Sequence, residues 1–179
     1  VTDKDGIHPN AAVYKVLDVI ANLIRSVPFL ILLILLIPFT RMIVGKSYGS
    51  TATVVPLVIA AGPFIARMVE SSLLEVDPGV IEAAQSMGAN IWTIIWKVML
   101  AESRTSLLVN GTIALGTILG YSAMAGAVGG GGLGGIAINY GYYRYETDIM
   151  LVTVAILVII VQIIQEIGMR LARKSDKRI

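Results

Sequence analysis

Four runs without a single charged residue dominate this chain: 26–40, 47–66, 105–143 and 149–165, of 15, 20, 39 and 17 residues. An α-helix rises about 1.5 Å per residue, so about 20 apolar residues cross the ~30 Å hydrocarbon core of a bilayer. The chain is 56% hydrophobic and 15% charged, whereas a soluble domain carries about 25% charged residues. That deficit predicts an all-α, polytopic membrane helix bundle. The run 47–66 spans as it stands. The runs 26–40 and 149–165 extend through amphipathic flanks, Val16 to Ile24 before Arg25 and Ile167 to Leu171 after Glu166, because long basic side chains at helix ends reach the interface. Two crossings within 105–143 would need about 40 residues and a tight turn. It is therefore read as one crossing over 105–125. A stretch from Gly126 to Gly135 follows, too rich in glycine for a stable lipid-exposed helix. Tyr140, Tyr142, Tyr143 and Tyr145 then form an interfacial belt. The expected spans are about 16–40, 48–70, 105–125 and 148–171, in one transmembrane domain over 1–179.

Four crossings put both termini on one side, and the distribution of Lys and Arg selects it. Lys4, Lys15, Arg25, Arg67, Lys97, Arg104 and the tail cations Arg170, Arg173, Lys174, Lys177 and Arg178 give eleven on one face. Arg41, Lys46 and Arg144 leave three on the other. The richer face is cytoplasmic, and the basic tail anchors the topology on anionic lipid. A net charge of +2 carries no nucleic-acid footprint. The chain has no Cys, which excludes disulfides, thiol catalysis and cysteine metal sites. The lone His8 sits in a polar stretch and reads as a surface residue rather than a ligand. The first ten residues hold no apolar core, so no cleavable signal is read there.

Between the second and third spans lies a polar segment on the cytoplasmic face, about 77–100. Asp77 is a good helix N-cap and Pro78 suits the first helical position. Residues 79–87 then form about two turns, and Gly88 suits a left-handed C-cap. Asn90 caps a second helix, in which Ile91, Ile94, Ile95 and Val98 recur at helical spacing. Trp92 and Trp96 share a face, at the interface. Two uses remain open on local physics alone. The Glu82 face, kept slim by Ala83 and Ala84, can dock into a groove on another protein, or the segment is a plain amphipathic connector lying on the membrane.

Glu82-Ala83-Ala84, three residues, Gly88, nine residues and then Val98-Met99-Leu100-Ala101 resembles the EAA loop of ABC importer permeases. Val98 stands where that pattern has Ile, and Ala101 where it has Pro, which softens the bend expected there. Further likeness lies in Arg25-Ser26-Val27-Pro28-Phe29, in Ile37-Pro38-Phe39-Thr40-Arg41, from Pro63 to Glu70, and from Gly120 to Gly129. Together these stretches are similar to the methionine-type permeases, of type I importer architecture, which take up D- and L-methionine. That family has five spans and four are legible here, the absent one preceding Val1, so an N-terminally truncated product or a late start is expected.

The resemblance implies a homodimer in the cytoplasmic membrane of a bacterium. Two ATP-binding subunits each grip one EAA helix, through Glu82, Ala83, Ala84 and Gly88. An extracytoplasmic methionine-binding lipoprotein delivers the substrate. ATP-driven closure of the motor subunits draws the coupling helices together and opens the pathway outward. No catalytic residue, cofactor or metal is expected in the chain itself.

Other motifs are weaker. Gly129-x-Gly131-x-x-Gly134 matches a dinucleotide fingerprint only formally, with no preceding strand and no acid about 20 residues on. A flexible external gate accounts for these glycines better, with close packing as the alternative. No GxxxxGK[ST] is present, so ATP belongs to a partner. Gly116 and Gly120 form a GxxxG that suits close helix packing, or a dimer or pathway lining. Tyr121, Ser122 and Met124 lie near the outer end of their span as pathway or gate candidates, Met124 as a flexible apolar plug. Ordinary packing is their alternative. Asn110 and Gln162 are expected to make interhelical hydrogen bonds. Pro28, Pro38, Pro56 and Pro63 suggest kinks. Glu70, Glu75 and Asp77 read as a solvated helix end, one of them paired with Arg67. The rival functions are the same machine for another small substrate such as a quaternary amine or amino acid, an ATP-independent carrier, and an intramembrane enzyme. The carrier calls for an intramembrane ionisable pair or an internal repeat, and the enzyme for a catalytic set at membrane depth; neither is found.

Overall fold

The computed structural model describes residues 10–175; His8, Lys4, Lys177 and Arg178 lie outside the described residues. The described residues contain helices and no strand. Helix α1 (Ala11–Ser26) opens on Asn10, whose side chain accepts from the Val13 N–H at 3.2 Å. It ends where Val27 turns extended (φ −87°, ψ 126°), the conformation a residue takes before proline. Helix α2 (Phe29–Leu35) leaves at 102° to α1. After Leu36 comes α3 (Ile37–Val44), with Pro38 in its first turn and Gly45 as a left-handed cap at φ +78°. The segment expected as one span over 16–40 thus turns sharply at 26–28, beside Pro28, one of the prolines expected to kink a helix. The corner falls just after Arg25, where proline disfavours a helical backbone at the residue before it and Val27 is extended. Helix α1 buries no residue. Helix α2 buries Phe29, Leu32 and Leu33 against Ala60 and Ala125.

Three long helices carry the bundle: α4 (Ser50–Leu74), α8 (Arg104–Ala125) and α10 (Thr147–Ser175). Each is long and apolar enough to cross a bilayer, and the bent pair α1 and α2 makes a fourth when counted as one span. Helix α8 packs between α4 and α10. Its seam with α10 depends on missing side chains, since a Cβ on Gly168 would overlap Thr112 and Gly116 faces Gln165 Nε2. Gly120 faces open space, so only half of the GxxxG serves helix packing within the subunit. Asn110 makes the interhelical hydrogen bonds expected of it. Gln162 is exposed and makes no interhelical hydrogen bond among the described residues.

Residues after α8 form a 3₁₀ turn (Gly126–Val128), α9 (Gly132–Ile136) and a π-helical stretch (Ala137–Tyr142) that leads into α10. This segment folds back onto α8. A Cβ on Gly126 would overlap the Gly135 backbone, and one on Gly134 would overlap the Ala123 carbonyl. The loose external gate expected here is thus a close-packed hairpin, in which the glycines are needed because backbone meets backbone. It also fastens the start of α4, since Gly49 N–H donates to the Gly129 carbonyl at 2.9 Å. Tyr142, Tyr143 and Tyr145 are exposed, and the Arg144 guanidinium sits 4.5 Å above the Tyr140 ring, a cation–π contact.

Candidate functional site

The polar segment between α4 and α8 is a compact helical hairpin. Helix α5 (Pro78–Ser86) is capped by Asp77, whose Oδ1 accepts from the Gly79 N–H at 2.7 Å. It closes at Gly88, at φ +80°. There Gly88 N–H donates to the Gln85 carbonyl at 2.9 Å and Ala89 N–H to the Ala84 carbonyl at 3.1 Å. This paired arrangement satisfies two terminal carbonyls and requires a left-handed residue at its centre. Asn90 Oδ1 then accepts from Thr93 N–H at 2.8 Å and starts the return leg. That leg runs through α6 (Ile91–Thr93), a π-helical stretch (Ile94–Met99) and α7 (Leu100–Glu102). The regular second helix expected over 91–100 is thus largely π-helical, a form often found at functional positions.

The hairpin has its own core. Ala84, Ile94 and Met99 are buried together, with Leu73 of α4, Ile81, Ala89, Ile95 and Val98 packed around them. Ile94 is only 1% exposed. Ala84 therefore faces inward, against the expectation that it lies on a slim outer face; the return leg comes close enough to need a small residue at that point. Ala83 and Glu82 are exposed. Ser86 Oγ donates to the Glu82 backbone carbonyl at 2.9 Å. Sequence reasoning missed two neighbours, Val80 and Met87, 40% and 81% exposed. With Ala83 they make an outward stripe at i, i+3 and i+7, a spacing visible in the sequence. Trp92 and Trp96 are also exposed.

The hairpin's root is braced. Ser103 Oγ donates to the Met99 carbonyl at 2.7 Å. Arg67 of α4 pairs with Glu70 on its own helix at 2.6 Å and with Asp18 of α1, and donates to Asn22 Oδ1 at 3.3 Å. One of the expected acidic partners of Arg67 is thus Glu70, and α1 is fastened to the lower part of α4.

The other predicted residues lie at the far end of α8, roughly 25 Å along its axis at 1.5 Å per residue. Tyr121 stacks on Phe29 with ring centroids 4.5 Å apart and planes 9° from parallel. It helps line a cavity of about 220 Å³ beside the α1–α2 corner, with Arg25, Phe64 and Ala60 among the other lining residues. Ser122 and Met124 are exposed. The structure therefore separates this trio: Tyr121 belongs to the α2–α8 packing, while Ser122 and Met124 face outward from the subunit.

Comparison with known proteins bears on this geometry. The pattern of the binding-protein-dependent transport system inner membrane component family matches residues 6–179. The chain is 52% identical over 177 residues to the probable D-methionine transport system permease protein MetI of Vibrio cholerae, covering 99% of this chain and 79% of that protein. It is 46% identical over 178 residues to the methionine import system permease protein MetP of Bacillus subtilis, covering 99% and 80%. Among solved structures it is similar to a chain of the MetNI methionine ABC transporter in an inward-facing conformation, at TM-score 0.96 and 48% identity, over 99% of this chain and 82% of that one. A likeness of TM-score 0.76 and 22% identity to an amino acid ABC transporter, over 91% and 77%, shows the fold alone. A bundle of apolar helices carrying a braced, solvent-facing hairpin, matched along nearly its whole length, is an integral membrane permease, and the chain belongs to the family of binding-protein-dependent transport system inner membrane components.

Proposed function

We propose that this permease imports methionine across the bacterial cytoplasmic membrane as one of two copies driven by two ATP-binding subunits. The observation that carries the coupling role is the outward stripe Val80, Ala83 and Met87 beside Glu82. It is an apolar strip with a small residue at its centre, flanked by one carboxylate and held by a left-handed cap at Gly88. Such a face fits a groove on another protein, with two apolar anchors and one charge to fix register. The substrate and the partners rest on the resemblance to the methionine permeases, as does delivery by an extracytoplasmic methionine-binding lipoprotein.

The chain acts as one permease domain, with α2–α3, α4, α8 and α10 crossing and 77–100 as the coupling segment. Helix α1 lies along the cytoplasmic interface. Its apolar residues Val16, Leu17, Ile20 and Leu23 are exposed while Asp18 and Asn22 turn to Arg67, the division expected of an interfacial helix. The likeness to a MetNI chain in an inward-facing conformation supports reading this arrangement as the inward-facing one. ATP-driven closure of the motors brings the two hairpins together, and each bundle rotates as a body to open outward. Met124, with Ser122 beside it, gates the pathway, and Tyr121 stands behind them as part of the wall. The chain supplies no chemical step; ATP hydrolysis belongs to the partner.

The test is co-purification with the ATP-binding subunit together with methionine uptake. Glu82→Lys and Gly88→Val should each lose most motor attachment and uptake. Wild-type attachment and uptake in both variants would refute the coupling role.

A further inference from the structure

The polar cluster at the root of the hairpin has no part in the function described so far. Ser72 of α4 is 0% exposed. Its Oγ donates to the Met68 carbonyl at 3.1 Å and accepts from Asn110 Nδ2 of α8 at 2.8 Å. The second Asn110 N–H reaches the Met68 carbonyl at 3.3 Å. One turn nearer the hairpin, Ser106 Oγ lies 3.0 Å from Glu75 Oε1 and 3.2 Å from Ser72 Oγ. Its single proton is better placed on the charged acceptor. Both Asn110 donors and the Ser72 hydroxyl proton are thus satisfied, across two helices, around the fully buried Ser72.

The position of this cluster gives it a consequence. Helix α4 runs into the hairpin at Leu74 and α8 leaves it at Arg104. The cluster joins those two helices immediately above the point where both enter the hairpin. If the helices merely touched through apolar side chains, a pull on the hairpin could slide one past the other. Directional hydrogen bonds in a low-dielectric setting resist such a slip, because breaking them leaves buried polar groups unpaired. We propose that Ser72 and Asn110 are positioning residues for transport: they make α4 and α8 move as one lever, so that hairpin motion becomes opening of the pathway. The proposal rests on the coupling role of the hairpin given above.

The test is a reconstituted complex with its ATP-binding subunit, in which hydrolysis and methionine transport are measured together. Asn110→Leu keeps the size and removes both donors. It should leave co-purification intact, keep hydrolysis within about two-fold of wild type, and lower methionine moved per ATP several-fold. Ser72→Ala should do the same, and the double variant should be no worse than either single one, since both break one network. Ser106→Ala, which leaves the Ser72–Asn110 bonds in place, should have a smaller effect and serves if Asn110→Leu fails to assemble. An unchanged transport-to-hydrolysis ratio in Ser72→Ala and in Asn110→Leu, or in Ser106→Ala and Ser72→Ala where Asn110→Leu does not assemble, overturns the lever. Hydrolysis and transport falling in equal proportion overturns it too, because that marks a merely structural role. Glu82→Lys separates the two claims. If it abolishes co-purification while Asn110→Leu transports normally, the lever alone fails; if it changes nothing, the coupling role itself fails.

Discussion

At Gly88 the constraint is backbone rather than space. Its φ is +80° and nothing lies within 4 Å of where a Cβ would be. A left-handed conformation costs an L-residue roughly 1–2 kcal/mol, and Asn tolerates it better than β-branched residues do. Gly88→Asn should therefore keep most motor binding and Gly88→Val should lose most of it, read as the amount of ATP-binding subunit retained in detergent pull-downs. Equal retention would show that the turn does not hold the hairpin in shape. Gly88 was legible in the sequence because a helix C-cap is local chemistry. The inward turn of Ala84 was not, since it depends on how closely Ile94 and Met99 return across α5. Met124 is exposed beside a tightly packed glycine hairpin. As an apolar plug it would close the pathway in the resting state. Met124→Ala should raise ATP hydrolysis without substrate several-fold in the reconstituted complex, and unchanged basal hydrolysis would remove Met124 from the gate.

Among the elements, the hairpin from Gly126 to Tyr142 differs most from what its composition suggests. Eleven residues from Gly132 to Tyr142 fall short of the length a crossing requires, so the segment enters against α8 and turns back. Glycine composition reports freedom in an isolated chain; only the neighbouring helix turns it into contact. At Gly134 a Cβ would overlap the Ala123 carbonyl, whereas at Gly120 it would meet nothing. Gly134→Ala should lower the melting temperature of the purified permease by several degrees, consistent with an overpacking cost of about 1–3 kcal/mol. Gly120→Ala should leave the monomer fold unchanged or slightly stabilised, since Ala exceeds Gly in helix propensity by about 1 kcal/mol. Equal melting temperatures for the two variants would mean that α8 and the hairpin separate easily. The long helices α4, α8 and α10 were legible because hydropathy and length suffice for them. The bend at Val27–Pro28 was legible from the proline, but its size, 102°, was not, because a proline marks where a helix breaks and the packing of α2 on α4 and α8 sets the angle.

For the molecule as a whole, the side of the membrane on which the coupling hairpin stands follows from charge counting, and every mechanical statement depends on it. The hairpin and the ends of α4 and α8 that carry it lie at one pole, while the glycine hairpin and the exposed tyrosines lie near the other end of α8. The chain has no native cysteine, so single cysteines report on topology without background. Ser86→Cys places a thiol on the exposed end of α5, and Glu146→Cys places one in the exposed turn before α10. A membrane-impermeant maleimide added to intact cells of the host, with the outer membrane made permeable where one is present, should label Glu146→Cys. Ser86→Cys should react only once the inner membrane is opened. Co-expression of the ATP-binding subunit should then slow labelling at Ser86→Cys and leave Glu146→Cys unaffected, because a motor gripping α5 covers one site and not the other. Reversed labelling would put the hairpin beyond reach of any cytosolic motor. Correct sidedness without motor protection at Ser86→Cys would place the contact on another face of the hairpin, with Trp92 and Trp96 as the exposed alternative.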